Sequence, residues 1–202
     1  ESALNRVLFV LEDTGGGVRF RYRGAEGSST KQFTLTDSGL FDVEITVEGR
    51  TDWSLLLGPG LRNPDAQELK GTYGLRRQAS YAIADEIESL DANKPGVPTV
   101  INGEGVRWIG LEDTFFLTAL MPSRPFRSAT MEAMLLQPTD QENSIYLPYT
   151  ETLSEDQEDL RAEYRILLNP GTESFSATLF WGAKHYDELA ALPGSLGLEK
   201  TV

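Results

Sequence analysis

His185 is the only histidine in the chain, and the chain has no cysteine. A thiolate nucleophile, a thiolate metal site and a disulfide framework are therefore excluded. One imidazole cannot build a histidine zinc site alone, although carboxylates could assist. As a general base it needs an orienting partner and a pocket. It lies beside Lys184 at the start of a predicted helix, and the plain expectation is an exposed or helix-terminal histidine. There is no Gly-x-Ser-x-Gly elbow, and a Ser-His-Asp arrangement could use only His185.

Two glycine clusters invite a phosphate-loop reading. Such a loop must feed a helix N-terminus, where free amides point at the anion. Gly15-Gly16-Gly17 instead precedes the strand pattern Val18 to Tyr22, with no Gly-Lys-Ser/Thr, so a hairpin tip is expected. Gly103-Glu104-Gly105 reads as a hairpin turn for the same reason. Carboxylates cluster at Asp85-Glu86 with Glu88, at Asp140 with Glu142, and at Glu155-Asp156 with Glu158-Asp159. No Asp-x-Asp-x-Asp-Gly loop accompanies them, and runs of like charge usually form a solvated surface. Paired carboxylates also serve glycoside hydrolysis, but that chemistry is decided by their separation in space. Trp53, Trp108, Trp181, Phe115, Phe116 and Tyr186 remain, fit for a sugar platform, a peptide groove or a core.

The elements that would position these residues are mostly strands. Val18, Phe20 and Tyr22 alternate with Arg19, Arg21 and Arg23; Phe41, Val43, Ile45 and Val47 alternate with Asp42, Glu44, Thr46 and Glu48. Leu160 to Leu168 and Phe175 to Trp181 show the same period of two. Shorter candidates are 7–11, 32–36, 53–57, 79–84, 106–110, 114–121, 131–137 and 145–149. Asp37-Ser38-Gly39 is expected to close a hairpin between 32–36 and 41–48. Asn169-Pro170-Gly171 is expected to do so between 159–168 and 175–181. Segment 152–168 also fits a capping box and a helical face, but an acidic turn at 150–157 followed by a strand fits its neighbours better. At 183–192 the period changes, and Tyr186, Leu189 and Ala190 share a helical face. Loops are expected at 58–64 and 91–98. The fold class is mainly β, an antiparallel sandwich with a short C-terminal helical segment.

Composition narrows the partners. The chain has 202 residues with 40% hydrophobic and 24% charged, enough for one large domain without staples, and 1–202 is expected to be a single domain. Its 18 Lys+Arg against 31 Asp+Glu give a net charge of −13. That argues against nucleic acid, which demands clustered cations, and against anionic lipid docked through a basic face. The longest mostly apolar stretch, Phe115 to Met121, is far short of the about 20 residues a transmembrane helix requires. A start at Glu-Ser-Ala-Leu, without Met or a signal-peptide pattern, is expected of a chain processed or cut from something longer.

Three stretches together resemble the periplasmic domain of the YidC membrane-protein insertase family (YidC/Oxa1/Alb3). Lys31 to Val47 resembles its Lys-x-Phe-x-Leu, turn, Tyr-x-Val pattern, with Phe41 for Tyr and a turn about one residue longer. Trp108 to Pro122 resembles its segment around an aromatic pair followed by a small-residue strand and Pro. Trp181 to Leu189 resembles its Gly-Pro-Lys-x-Tyr-x-x-Leu stretch, with Ala183 for Pro. Leu196 to Val202 looks like the approach to the membrane-embedded part, and the likeness runs from about residue 18 to 202. The resemblance implies a twisted β-supersandwich, similar to galactose mutarotase, in the periplasm of a Gram-negative inner-membrane protein. It implies a non-enzymatic accessory role in inserting and folding membrane proteins, alone or with the Sec translocon, and no cofactor. The implied partners are Sec components and nascent membrane proteins, with the membrane reached through flanking segments. Coupling to the membrane bundle maps to Tyr186, Leu189, Leu192, Leu196 and Leu198, with Tyr186, Leu189 and Leu192 expected to pack on the sandwich. The alternatives are a carbohydrate-binding or aldose-epimerase-like sandwich and a cleft for an extended peptide.

Overall fold

A computed structural model describes residues 7–25, 27–61, 77–91, 97–137, 145–148, 161–192 and 197–202. The alternating segments fold as strands β1 (Val10–Asp13), β2 (Gly17–Gly24), β3 (Gly27–Leu35), β4 (Phe41–Val47), β5 (Leu55–Leu57), β6 (Gln78–Ile83) and β7 (Glu86–Asp91). They continue with β8 (Thr99–Asn102), β9 (Val106–Glu112), β10 (Phe116–Pro122), β11 (Ser128–Gln137), β12 (Ile145–Pro148), β13 (Arg161–Asn169) and β14 (Ser174–Ala183). Helix α1 (Tyr186–Ala190) and a 3₁₀ turn (Leu198–Thr201) follow.

Two antiparallel sheets result. The larger has nine strands in the order β1-β2-β3-β4-β14-β10-β9-β6-β7. The smaller runs β12-β11-β13-β5, with β8 also paired to β11. The hairpin at Asp37-Ser38-Gly39 forms as expected: Leu35 pairs with Phe41 and Gly39 holds a φ of 77°, which favours glycine. The second expected hairpin does not form. Asn169 Oδ1 does accept the Gly171 amide at 2.8 Å, so the turn exists. But both edges of β13 are taken by β11 and β5, while β14 inserts between β4 and β10. The turn therefore carries the chain from one sheet to the other. Turn chemistry reports a reversal, not the partner of the strand that follows.

The nine-stranded sheet is covered on both faces at its centre. On the inner face Ile109, Leu111, Leu120, Phe175 and Ala177 meet Met131, Tyr164, Ile166 and Leu168 of the smaller sheet. On the outer face Trp108, Leu117, Ala119 and Met121 meet Leu189 and Leu198 of the C-terminal segment. This explains the mostly apolar run in β10, interrupted only by Thr118, since a strand buried on both sides needs no polar alternation. Trp108 is fully buried. Burying an indole of roughly 200 Å² contributes about 5 kcal/mol before entropy is counted. At the far end of the sheet, alternation separates chemistry by face. Arg19 and Arg21 reach Gln32 and Glu12 on one side, while Phe20 stacks edge-on against Phe33 on the other.

Gly110 lies where β9 and β10 approach closely, paired with Ala119. A Cβ there would collide with the backbone oxygen of Thr118. Overpacking of this kind costs about 1–3 kcal/mol, and each kcal/mol is about 2–4 °C at this chain length. Gly110→Ala should thus lower the thermal unfolding midpoint, followed by circular dichroism, by about 2–12 °C. Gly16→Ala, whose Cβ would meet nothing within 4 Å, should leave it in place.

Candidate interaction surfaces

The residues that suggested catalysis prove scattered. His185 is exposed at the N-cap of α1 and makes no side-chain capping bond. Gly15 closes the β1–β2 turn, its amide bonded to Asp13 Oδ1 at 2.8 Å, and a strand follows. Gly103 to Gly105 form the β8–β9 turn, where Asn102 Oδ1 accepts the Glu104 amide, but it is not the expected hairpin, because β8 pairs with β11 in the smaller sheet and β9 lies in the larger one. Asp85 faces Arg107 at 3.6 Å. Among the described residues no three His, Cys, Asp or Glu side chains are grouped to hold a metal ion. Asp140, Glu142 and the cluster at 155–159 lie outside the described residues, as does the expected turn at 150–157.

The C-terminal segment forms the better-built assembly. Leaving β14, the Lys184 amide bonds to Phe115 O at 2.8 Å. The Lys184 ammonium reaches Glu112 Oε2 at 2.9 Å, with both side chains buried, and donates to Asp113 O at 3.3 Å. Ser80 on β6 donates to Glu112 Oε1 at 2.5 Å, and its hydroxyl lies 2.9 Å from that of Ser89 on β7. A buried carboxylate with a cation on one oxygen and a hydroxyl on the other has its polar demands met. Asp113 Oδ1 in turn accepts the amides of Phe115 and Phe116, shaping the turn that receives Lys184. The two residues of the pair are 72 positions apart, and no local signal connects them. The one available hint is that both fall within resembling stretches.

From this anchor the chain turns onto the outer face of the large sheet. Leu189 and Leu198 are buried there, and Leu192 packs against the same cluster. The Lys200 ammonium then reaches Asp85 O in the β6–β7 turn at 3.3 Å. Tyr186, expected to pack, is instead 58% exposed. The helix is shorter than the expected 183–192: Ala183 still belongs to β14, and Lys184 is held by its ion pair. Tyr186 therefore starts the helix at the surface, and Leu189 alone of α1 is buried. Leu196 lies outside the described residues.

The aromatic candidates divide. Trp108 is core, and Trp53 is half-buried with its indole N–H donated to Thr172 O at 2.8 Å. Trp181 is 67% exposed and Phe115 55%, with Phe116 exposed beside them. Trp181 and Phe116 occupy the inner-face positions at the end of the β10–β14 pair, through the register Thr118 to Trp181 and Phe116 to Ala183.

A large antiparallel sheet covered on one face by a smaller sheet and on the other by its own C-terminal segment is a β-sandwich. The chain matches the YidC periplasmic domain over residues 8–202, nearly its whole length, and belongs to that family. It is thus the periplasmic β-supersandwich of a membrane-protein insertase. No curated protein matches it. No described helix is long and apolar enough to cross a membrane.

Lys184→Ala leaves Glu112 buried without its cation. The expected cost is about 3–5 kcal/mol. Combining Lys184→Met with Glu112→Leu should recover most of it, measured by urea unfolding of the single and double variants. Leu189→Ala should cost about 2–5 kcal/mol by the same measurement, and an unchanged midpoint would remove the clamp from the account.

Proposed function

We propose that the chain is a single, non-catalytic accessory domain that acts as a protein-interaction scaffold for its insertase. In this reading the full protein inserts and helps fold membrane proteins, alone or with the Sec translocon. The domain is joined to the membrane bundle through the C-terminal segment containing Tyr186, Leu189, Leu192, Leu196 and Leu198. The observation that carries the reading is the buried Glu112–Lys184 pair at the root of that segment. Such an anchor fixes the segment's direction on leaving the sheet, and a rigid exit is what coupling to a neighbouring module requires. The family match supports the setting.

The test uses the full-length insertase in membrane vesicles, with and without the Sec translocon. Lys184→Ala and Leu189→Ala should reduce insertion of a Sec-dependent client and reduce cross-linking to Sec components, with the insertase itself still present at normal amount. Unchanged insertion and cross-linking would defeat the coupling. Anomer interconversion by the chain, lost in His185→Ala, would overturn the non-catalytic assignment and restore the epimerase alternative.

A further inference from the structure

The C-terminal segment covers the outer face of the large sheet only over its centre, at β9 and β10. Beyond it, among the described residues, nothing lies on the outer face of β14, β4, β3, β2 and β1. The chemistry of that face is sorted strand by strand. β2 points Arg19, Arg21 and Arg23 outward, and β3 points Ser28, Thr30, Gln32 and Thr34. β4 points Asp42 and Glu44 outward, and Glu48 follows just past its end. A basic band and an acidic band thus run side by side with one uncharged strand between them. Strands are about 4.8 Å apart, so the bands are about 10 Å apart. Glu12 on β1 holds Arg21 at 2.7 Å and Arg19 at 3.8 Å. Among the described residues Arg23, Glu44 and Glu48 have no ion-pair partner in their own chain.

The strand register sets which residues stand abreast. Arg19, Gln32 and Glu44 share one level, Arg21, Thr30 and Thr46 the next, and Gly17, Thr34 and Asp42 another. Arg23 stands beside Ser28, whose carbonyl accepts the Glu48 amide, so Glu48 joins that level.

We infer that this face binds a second copy of the chain, face to face, about a two-fold axis running along β3. Such an axis lays β2 of each copy over β4 of the other and leaves the level of every residue unchanged. Arg19 then faces Glu44 of the second copy and Arg23 faces its Glu48, and each pair is made twice. Arg21 faces Thr46, and Asp42 faces Gly17, which has no side chain, so these levels bring no like charges together. The uncharged β3 lies over itself. An axis running across the strands would instead set arginine on arginine. Stacked sheets lie about 10 Å apart, a gap that an arginine and a glutamate span together. Five strands of about seven residues offer roughly 550 Å² per copy, or about 1,100 Å² in all, which reaches the lower bound of a specific interface. The axis also keeps the two C-terminal segments at one level, as two domains tethered to the same membrane require. Nucleic acid or anionic lipid would meet the acidic band and be repelled. The contact does not depend on the accessory role proposed above.

Two chains of net charge −13 repel at long range. At 0.15 M salt that repulsion is screened beyond about 8 Å, while charges in contact still attract. Sedimentation velocity of the chain at this salt should show a reversible dimer with a Kd of about 100 µM, as a small polar interface gives. Arg19→Glu with Arg23→Glu should abolish it, because like charges then face each other. Glu44→Arg with Glu48→Arg should abolish it too, although that variant is less acidic than the wild type and repels itself less at long range. An equimolar mixture of the two variants should dimerise again, since every reversed residue then meets a reversed partner. The four side chains are exposed or half-exposed, so both variants should keep the wild-type unfolding midpoint. A wild-type chain that stays monomeric well above this concentration, a reversed variant that still dimerises alone, or a mixture that fails to pair would each overturn the contact.

Discussion

The interaction on which the rest depends is the buried contact between Lys184 and Glu112. Two charges removed from water are costly unless each finds a partner in good geometry. Here the carboxylate also receives Ser80, and the ammonium also reaches the Asp113 carbonyl. The pair fixes the point at which the chain stops being a strand of the large sheet and becomes its cover. Everything on the outer face follows from that point: the short helix, the seat of Leu189 beside Trp108, and the return of the chain to the β6–β7 turn. A hydrophobic contact could supply similar stability, but a directional polar contact also selects one register. That gives the segment a defined path where apolar packing alone would tolerate sliding.

The same geometry explains why the resembling stretches are far apart in sequence and close in space. Trp108 to Pro122 is the β9–β10 hairpin, and Trp181 to Leu189 is the end of β14 with the start of α1. β10 and β14 pair side by side, and the ion pair joins their neighbours. Lys31 to Val47 is the β3–β4 hairpin, which borders β14 from the other side. All three stretches thus meet around β14. A shallow pocket lined by Leu57, Leu111, Thr118 and Trp181 also opens beside this strand, so the clamp and the pocket occupy opposite faces of one element.

How much of this was legible in the sequence depends on the range of the signal. Period-two alternation gave β2, β4, β13 and β14, and the Asp37-Ser38-Gly39 turn gave a true hairpin, because both are local. β7 was not expected: Glu86, Glu88 and Asp91 disguise a strand that lies at the sheet edge, where charge discourages further pairing. β8, four residues long, was also missed beside its loop. The turn at Asn169 to Gly171 was recognised but given the wrong strand partner, since sheet membership is a tertiary property. Helical spacing picked out Leu189, and Leu192 was expected to pack beside it; Leu198 entered only through the resemblance, as a residue coupled to the membrane bundle, and its burial on the sheet had no local signal. Tyr186 shared that spacing yet faces solvent, because the helix begins with it. Glu112 had no visible role until its distant partner arrived. Trp181 belonged to a clear strand face, but the sequence did not show that the smaller sheet stops short of it.

The strand order of the large sheet also bears on how the chain is made. β4 borders β14, and Thr178 bonds to Asp42 at 3.2 Å across 136 positions of sequence. A chain synthesised from its N-terminus therefore completes β1 to β4 long before the strand that must sit beside β4 exists. Until residues 174–183 emerge, the first four strands form a meander with an open edge. Open edges of that kind invite pairing with foreign strands, and contacts this distant in sequence make folding slow. The last long strand is thus the closing piece of the sheet, and the nascent domain must be kept from misassociation until it arrives.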